Sequence, residues 1–271
     1  MLLPPTMNPT YNLHPGRTPL LISMPHVGTQ LPADQRQRYT QRALEMEDTD
    51  WFLDRLYSFA GDLGATLLVP RYSRYLVDLN RAPDNVPMYP GQNNTELCPT
   101  RHFTGEPIYR ADQAPDAAEV QRRVAGYWRP YHDALQAQLL QLKAQHGHVV
   151  LFDAHSIKGT LPWLFDGTLP DMNLGSADGA SCAGALQQAV AGVLAAQGDY
   201  SHVLNGRFKG GYITREYGRP ASGVHAVQLE MACSAYMDEA PPYRWHPPRA
   251  AAVSPLLRQL VQTMLQWRPA P

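Results

Sequence analysis

The sequence predicts an α/β layer fold built on a mixed or mainly parallel sheet. Short apolar, β-branched runs alternate along the chain with long stretches of helical periodicity. Strands interleaved with helices in this way favour a sheet covered by helices over a bundle or a sandwich. The 271 residues, 44% of them hydrophobic, suffice for one large core. We therefore expect a single domain over residues 1–271, with 1–18 as a proline-rich N-terminal extension.

Strands are expected over 20–23, 66–69, 75–79, 148–152 and 224–229, where brief apolar runs lie between turn-rich stretches. Helices are expected over 41–60, 116–145, 177–196 and 250–267. Within 116–145, Val120, Val124, Trp128, Leu135, Leu139 and Leu142 recur at intervals that place them along one helix face. Residues 82–111 and 156–175 show no period. Irregular stretches of this length in a compact domain usually form lids or site walls. No internal repeat or low-complexity tract divides the chain.

Lys and Arg number 23 against 24 for Asp and Glu, a net charge of -1. Such a balance creates no long-range field for nucleic acid or anionic lipid, so a small-molecule partner is expected. No run approaches the roughly 20 apolar residues of a bilayer span. The N-terminus lacks the basic start and long apolar stretch of a signal peptide. Cys98, Cys182 and Cys233 are odd in number and form no CxxC pair, which points to free thiols in a reducing compartment and a cytoplasmic location.

Chemistry gathers where polar residues follow apolar runs. PLLISMPH delivers His26, HVVLFDAHS delivers Asp153 and His155, and VHAVQLE delivers Glu230. In open α/β sheets, ligands bind beyond the carboxyl ends of the strands. Each histidine alone reads more readily as a hydrogen-bonded loop residue. Together, two histidines and a carboxylate at one sheet edge are the parts of a catalytic zinc site. The third ligand should be acidic, and LEMEDTDWFLDRLY offers Glu45, Glu47, Asp48, Asp50 and Asp54. The same acids suit a helix start, where Asp48 or Thr49 would cap. A buried Glu230 needs a partner. A metal-activated water would be one, with the glutamate as general base and then general acid.

Two basic motifs complete the picture. RYSRYLVDLNR holds Arg71, Arg74, Asn80 and Arg81, and guanidinium forks suit carboxylates, although surface ion pairs are the common fate of arginine. NGRFKGGYITREYGRP carries Arg207, Lys209 and Arg215 around Gly210 and Gly211, which reads either as a ligand loop or as a hairpin with a glycine turn. Trp163, Phe165 and Tyr212 either narrow a pocket or belong to the core. GxSxG, HExxH and phosphate-loop patterns are missing.

At these residues the chain resembles the N-formylglutamate amidohydrolase (N-formylglutamate deformylase) family. The likeness runs roughly from Pro19 to Glu239. It rests on SMPHVGTQLP, DTDWFLDRLY, SRYLVDLNRAPD, LFDAHSIKG, NGRFKGGYITREYG and HAVQLEMACSAYMDE, in the family's order. The resemblance implies a three-layer α/β/α fold with a central mixed sheet, like that of the zinc carboxypeptidases and aspartoacylase-type deacylases. It also implies one catalytic zinc, or Co, Fe or Mn in its place. It points to His26, Asp50 and His155 as ligands. Asp50 aligns with an acidic position of the wider family, with Asp48 or Glu47 as alternatives. Thr29 stands where the carboxypeptidases carry a glutamate ligand, so the acid must come from elsewhere. Glu230 matches the general base, Asn80 and Arg81 the pair that holds a substrate carboxylate, and Arg74 an arginine that polarises the scissile carbonyl. The implied substrate is N-formyl-L-glutamate, cut to formate and L-glutamate at the end of one route of histidine breakdown. Its second carboxylate would fall to Arg207, Lys209 or Arg215. The rivals are a deacylase or carboxypeptidase-like hydrolase of another N-acyl amino acid, and a non-catalytic binder of acidic ligands.

Overall fold

The computed structural model describes residues 9–88, 91 and 93–270. Its seven strands are β1 (Tyr11–His14), β2 (Leu20–Ser23), β3 (Thr66–Pro70), β4 (Val149–Ile157), β5 (Met172–Gly175), β6 (His202–Leu204) and β7 (Val224–Ala232). They form one sheet in the order β1-β3-β2-β4-β7-β5-β6. The centre, β3-β2-β4-β7, is parallel, while β1 and β5 run antiparallel to their inner neighbours. The helices are α1 (Leu53–Leu56), α2 (Phe59–Asp62), α3 (Ala117–Arg123), α4 (Arg129–His146), α5 (Gly184–Ala195), α6 (Tyr212–Tyr217) and α7 (Pro247–Gln266).

Strand alternation builds three layers. Leu20 and Ile22 of β2, Val150 and Phe152 of β4, and Val227 and Leu229 of β7 pack into one core with Leu186 of α5 and Leu257 of α7. Their neighbours Leu21, Val149, Leu151 and Ala226 pack into a second core with Leu135 and Leu139 of α4. Successive strand residues point to opposite faces, so helices cover both sides of the sheet. This is why β2 and β4 are buried along their whole length and read as nearly continuous apolar runs.

Several expected elements differ. The helix foreseen over 41–60 is broken, because Met46 (φ 56) and Phe52 (φ 65) adopt left-handed conformations, and only α1 and α2 are α-helical there. Neither Asp48 nor Thr49 caps it; the residue preceding α1 is Phe52. Segment 75–79 is a buried turn and not a strand. Its apolar alternation arises because Tyr75 and Leu76 enter one cluster while Val77 and Leu79 enter another. Residues 11–14 of the supposed extension are the edge strand β1, paired with β3 from Tyr11↔Pro70 to His14↔Leu67; residues 1–8 lie outside the described residues.

Other boundaries shift for local reasons. The helix expected from 177 starts at Gly184, after positive φ at Ala177 and Asp178. β4 and β7 continue to Ile157 and Ala232 because their polar residues prolong the strands after the apolar count ends. The short β5 and β6 were not foreseen. The expected helix at 116–145 is found as α3, a π-helical segment Val124–Trp128 and α4, and that at 250–267 as α7. Among the described residues, no helix is long and apolar enough to cross a membrane.

Candidate active site and metal centre

The site grows out of strand parity. Asp153 and His155 of β4, and Gln228 and Glu230 of β7, share the sheet face that carries Leu151 and Ala226 under α4. Register sets Asp153 against Gln228 and His155 against Glu230. Beyond the reach of α4, this face opens into a cleft of about 590 Å³, solvent at its mouth included. His26, which follows β2, reaches the same cleft.

His26, Asp50 and His155 converge. The two Nδ1 atoms lie 3.1 Å apart, and Asp50 Oδ2 is 3.2 Å from His155 Nδ1 and 3.7 Å from His26 Nδ1. The Asp50 amide donates to the His26 carbonyl at 3.1 Å, which ties the broken segment 41–60 to the end of β2. This group could hold a metal ion. Two observations fit one. Asp50 Oδ1 is buried and accepts no hydrogen bond from the described residues. Each outer imidazole nitrogen meets a carboxylate: His26 Nε2 lies 2.7 Å from Asp78 Oδ1, and His155 Nε2 lies 3.1 Å from Asp153 Oδ2. Carboxylates behind histidines are how metal sites fix ring orientation.

Electrostatics follow from burial and these neighbours. Burial and the Arg74 charge lower His26 below its usual value, which favours the neutral ring that a metal requires. Burial also acts to lower His155, but Asp153 and Asp50 overcome it and hold the ring well above the ordinary value. A cation seated in the triad would displace that proton. Burial would raise Asp78, yet Arg74, His26 and Arg81 hold it well below the usual carboxylate range. For Glu230, burial wins and pushes the acid up to about 8. Its carboxyl lines the cleft.

The remaining expected residues divide. Arg74 Nη1 is 3.1 Å from His26 Nδ1, and its Nη2 donates to Asp78 Oδ2 at 2.5 Å. Asn80 lines the cleft, but its amide is engaged: Nδ2 meets His155 Nε2 at 3.0 Å, and Oδ1 accepts from the Ile213 amide at 2.8 Å. A Cβ at Gly211 would stand 2.1 Å from Asn80 Nδ2, so this close approach demands glycine. Arg81 lines the cleft while donating to the Thr95 carbonyl and hydroxyl. Of the three cations in the glycine-rich loop, only Arg207 lines the cleft, beside the Leu164 carbonyl it bonds at 3.2 Å. Lys209 instead pairs with exposed Asp178 at 3.1 Å, and Arg215 sits on the exposed side of α6 bonded to the Gly210 carbonyl. The loop is not a hairpin: it leads into α6, with the Gly211 amide donating to Gln228 Oε1.

Trp163, Phe165 and Tyr212 do not line the cleft; its apolar side is Phe103, Ile157, Leu164 and Phe208, with Met88. Glu47 and Asp48, the alternative ligands, turn away from His26 and His155. They gather around His102, with Glu47 Oε1 2.8 Å from His102 Nδ1. That second acidic group could also hold a cation, but Glu47 already pairs with Arg42 at 2.7 Å and Lys158 at 3.3 Å.

Sequence reasoning did not single out Asp78, Gln228, Thr95 or Phe103. The first two carried a readable signal, since each lies two residues before a residue that was chosen, Asn80 and Glu230. Phe103 sits in an aperiodic loop and left none.

Comparison with known proteins agrees with this architecture. Residues 18–237 match the sequence pattern of the family described as N-formylglutamate amidohydrolase. An N-formylglutamate deformylase of Pseudomonas putida is 47% identical over 261 residues, covering 96% of this chain and 97% of the relative. One from Pseudomonas aeruginosa is 50% identical over 252 residues, covering 93% and 94%. The crystal structure of N-formylglutamate amidohydrolase from Ralstonia eutropha JMP134 superposes with a TM-score of 0.80 at 28% identity, covering 96% of this chain and 97% of that one. With agreement over nearly its whole length, the chain belongs to the N-formylglutamate amidohydrolase family.

Proposed function

We propose that this protein hydrolyses N-formyl-L-glutamate to formate and L-glutamate, using one divalent metal held by His26, Asp50 and His155. The observation that carries the reading is the convergence of those three buried side chains, 3.1 to 3.7 Å apart, beside a glutamate that lines the same cleft. Two imidazoles and a carboxylate suit zinc. When bound, the metal supplies a Lewis acid and brings the pKa of its water to about 7.

The chain's own residues supply the rest. Glu230, which lines the cleft, takes a proton from the attacking water and passes it to the leaving nitrogen; the charge of a bound cation would draw the acid down from its burial-raised value to the ionised form this needs. Arg74, fixed by Asp78, aims Nη1 toward the triad and stabilises the oxyanion that develops on the formyl group. Arg81 and Arg207 receive the two carboxylates of the substrate. Asn80, whose Oδ1 is taken by the Ile213 amide, packs its Nδ2 beside His155 Nε2 and leaves the substrate carboxylates to the two arginines. The products fit the last step of histidine degradation in the cytoplasm.

The test is formate release from N-formylglutamate by protein as isolated, after chelation, and after zinc is restored. We expect activity to vanish and return. Full activity in demetallated protein would end the metal reading, and no formate under any condition would end the substrate reading.

A further inference from the structure

We propose that Phe103, backed by Ile157, sets which acyl group the enzyme accepts, confining it to formyl and excluding acetyl. This deepens the hydrolase reading above and rests on it.

The cleft is lined by two unlike sets of groups: Arg81, Asn93, Thr95 and Arg207 are polar, and Phe103 and Ile157 are apolar. A substrate with two carboxylates directs its amino-acid half toward the cations. The remaining substituent on the scissile carbon then falls to the apolar pair, which stands by the metal group. Ile157 is two residues beyond His155 on the same strand, so both project from the same face. The Phe103 ring lies 4.5 Å from the Arg74 guanidinium, whose Nη1 is 3.1 Å from His26 Nδ1. Phe103 and Ile157 also pack together in one small apolar cluster with Leu161 and Leu169.

The wall is held firmly. The Phe103 amide donates to Asp48 Oδ2 at 3.0 Å, and His102 Nδ1 lies 2.8 Å from Glu47 and 2.9 Å from the Tyr75 hydroxyl. The turn closes with the Gly105 amide on the His102 carbonyl at 2.9 Å. Gly105 has φ +95, and the Trp163 ring is 2.8 Å from where its Cβ would be. Pinned on both sides of Phe103, the backbone of this loop keeps the ring at the cleft wall, where it would meet an added methyl group. The cluster of Glu47, Asp48 and His102 thus acts as the anchor of this wall.

The experiment compares kcat/KM for N-formyl- and N-acetyl-L-glutamate in zinc-loaded wild type, Phe103→Ala, Phe103→Leu and Ile157→Val. Wild type should strongly prefer the formyl substrate. Phe103→Ala should raise the acetyl-to-formyl ratio by about 10–200-fold, the range over which a pocket discriminates one methyl-sized group. Phe103→Leu and Ile157→Val should shift it the same way by less. The ratio is the readout, because losing the ring over Arg74 also lowers the formyl rate. Should Phe103→Ala fail to fold, the two milder variants decide. A ratio unchanged in every folded variant overturns the inference. So does a wild type that cleaves both amides equally, which leaves metal-dependent hydrolysis standing; cleavage of neither amide overturns both.

Discussion

His155 of β4 and Glu230 of β7 are register partners across two parallel strands. The proposed ligand and the proposed base are therefore spaced by a backbone ladder and not by loop conformation. The pair Asp153 and Gln228, one step back on the same face, steadies the surroundings of both: Asp153 meets His155, and Gln228 holds the Gly211 amide. Sites built on strands keep tighter geometry than sites built on loops.

Replacing Glu230 with glutamine preserves its size but removes the proton acceptor. Glu230→Gln should lower kcat by about 10²–10⁴-fold. Elemental analysis should show unchanged metal content. A variant that loses its metal would make Glu230 a ligand and not a base.

Asp78 grips three parts of the site at once: His26 Nε2 at 2.7 Å, Arg74 Nη2 at 2.5 Å and the Asn80 amide at 2.8 Å. Asp78→Asn should weaken zinc binding by about 10–100-fold, as measured by competition with a coloured chelator. Equal affinity in the variant would deny Asp78 any part in orienting His26.

The cations of the glycine-rich loop should separate kinetically. Arg207 lines the cleft, whereas Lys209 is turned toward Asp178. Arg207→Ala should raise KM for formylglutamate at least about tenfold, the scale of a lost charge-assisted hydrogen bond, and raise it less for formylglycine. Lys209→Ala should leave both within about twofold, since surface ion pairs contribute little. Steady-state kinetics on the two substrates settles the assignment, and equal effects of Arg207→Ala on both would remove it.

Stability should decline in acid in two stages. Burial holds His132 down to about 3 from 6.5, so its unfolded form binds a proton first. Its contribution is present above pH 6.5 and is lost as pH falls toward 3. Burial would raise Glu47, but His102, Lys158 and Arg42 lower it from 4.5 to about 2. Its contribution is present above pH 4.5 and lost toward pH 2. Below pH 6.5, where the raised His155 and His102 are protonated folded and unfolded alike, urea midpoints should fall, and more steeply below 4.5. Glu47→Gln should flatten the lower stage, and it also removes a group that raises His102; an unaltered profile would remove Glu47 from the account.

The sequence was most legible where one physical requirement dominated. The fully buried β2, the core of β4 and the periodic face of α4 were readable because each must be apolar at its own spacing. His26, His155 and Glu230 were readable because charge at the end of such a run needs a reason. The resemblance added Asp50, and the structure brings it to the histidines. Segment 41–60 misled because left-handed turns at Met46 and Phe52 leave no trace in an apolar count. Segment 75–79 misled because alternation reports two buried environments, whether or not a strand partner exists. Asn80 shows the limit of matching by type: it lines the cleft, but its Oδ1 is taken by the Ile213 amide and its Nδ2 stands 3.0 Å from His155 Nε2.

On β4 and β7, residues that hold the core together and residues facing the cleft alternate one by one, Ala154 beside His155 and Leu229 beside Glu230. Core strands open only with the whole fold, whereas sites on loops often melt early. The catalytic floor should thus share the thermal fate of the sheet itself. Warming should therefore release the loop-borne partners Asp50, Arg74 and Arg207, and with them activity, before it loosens His155 or Glu230.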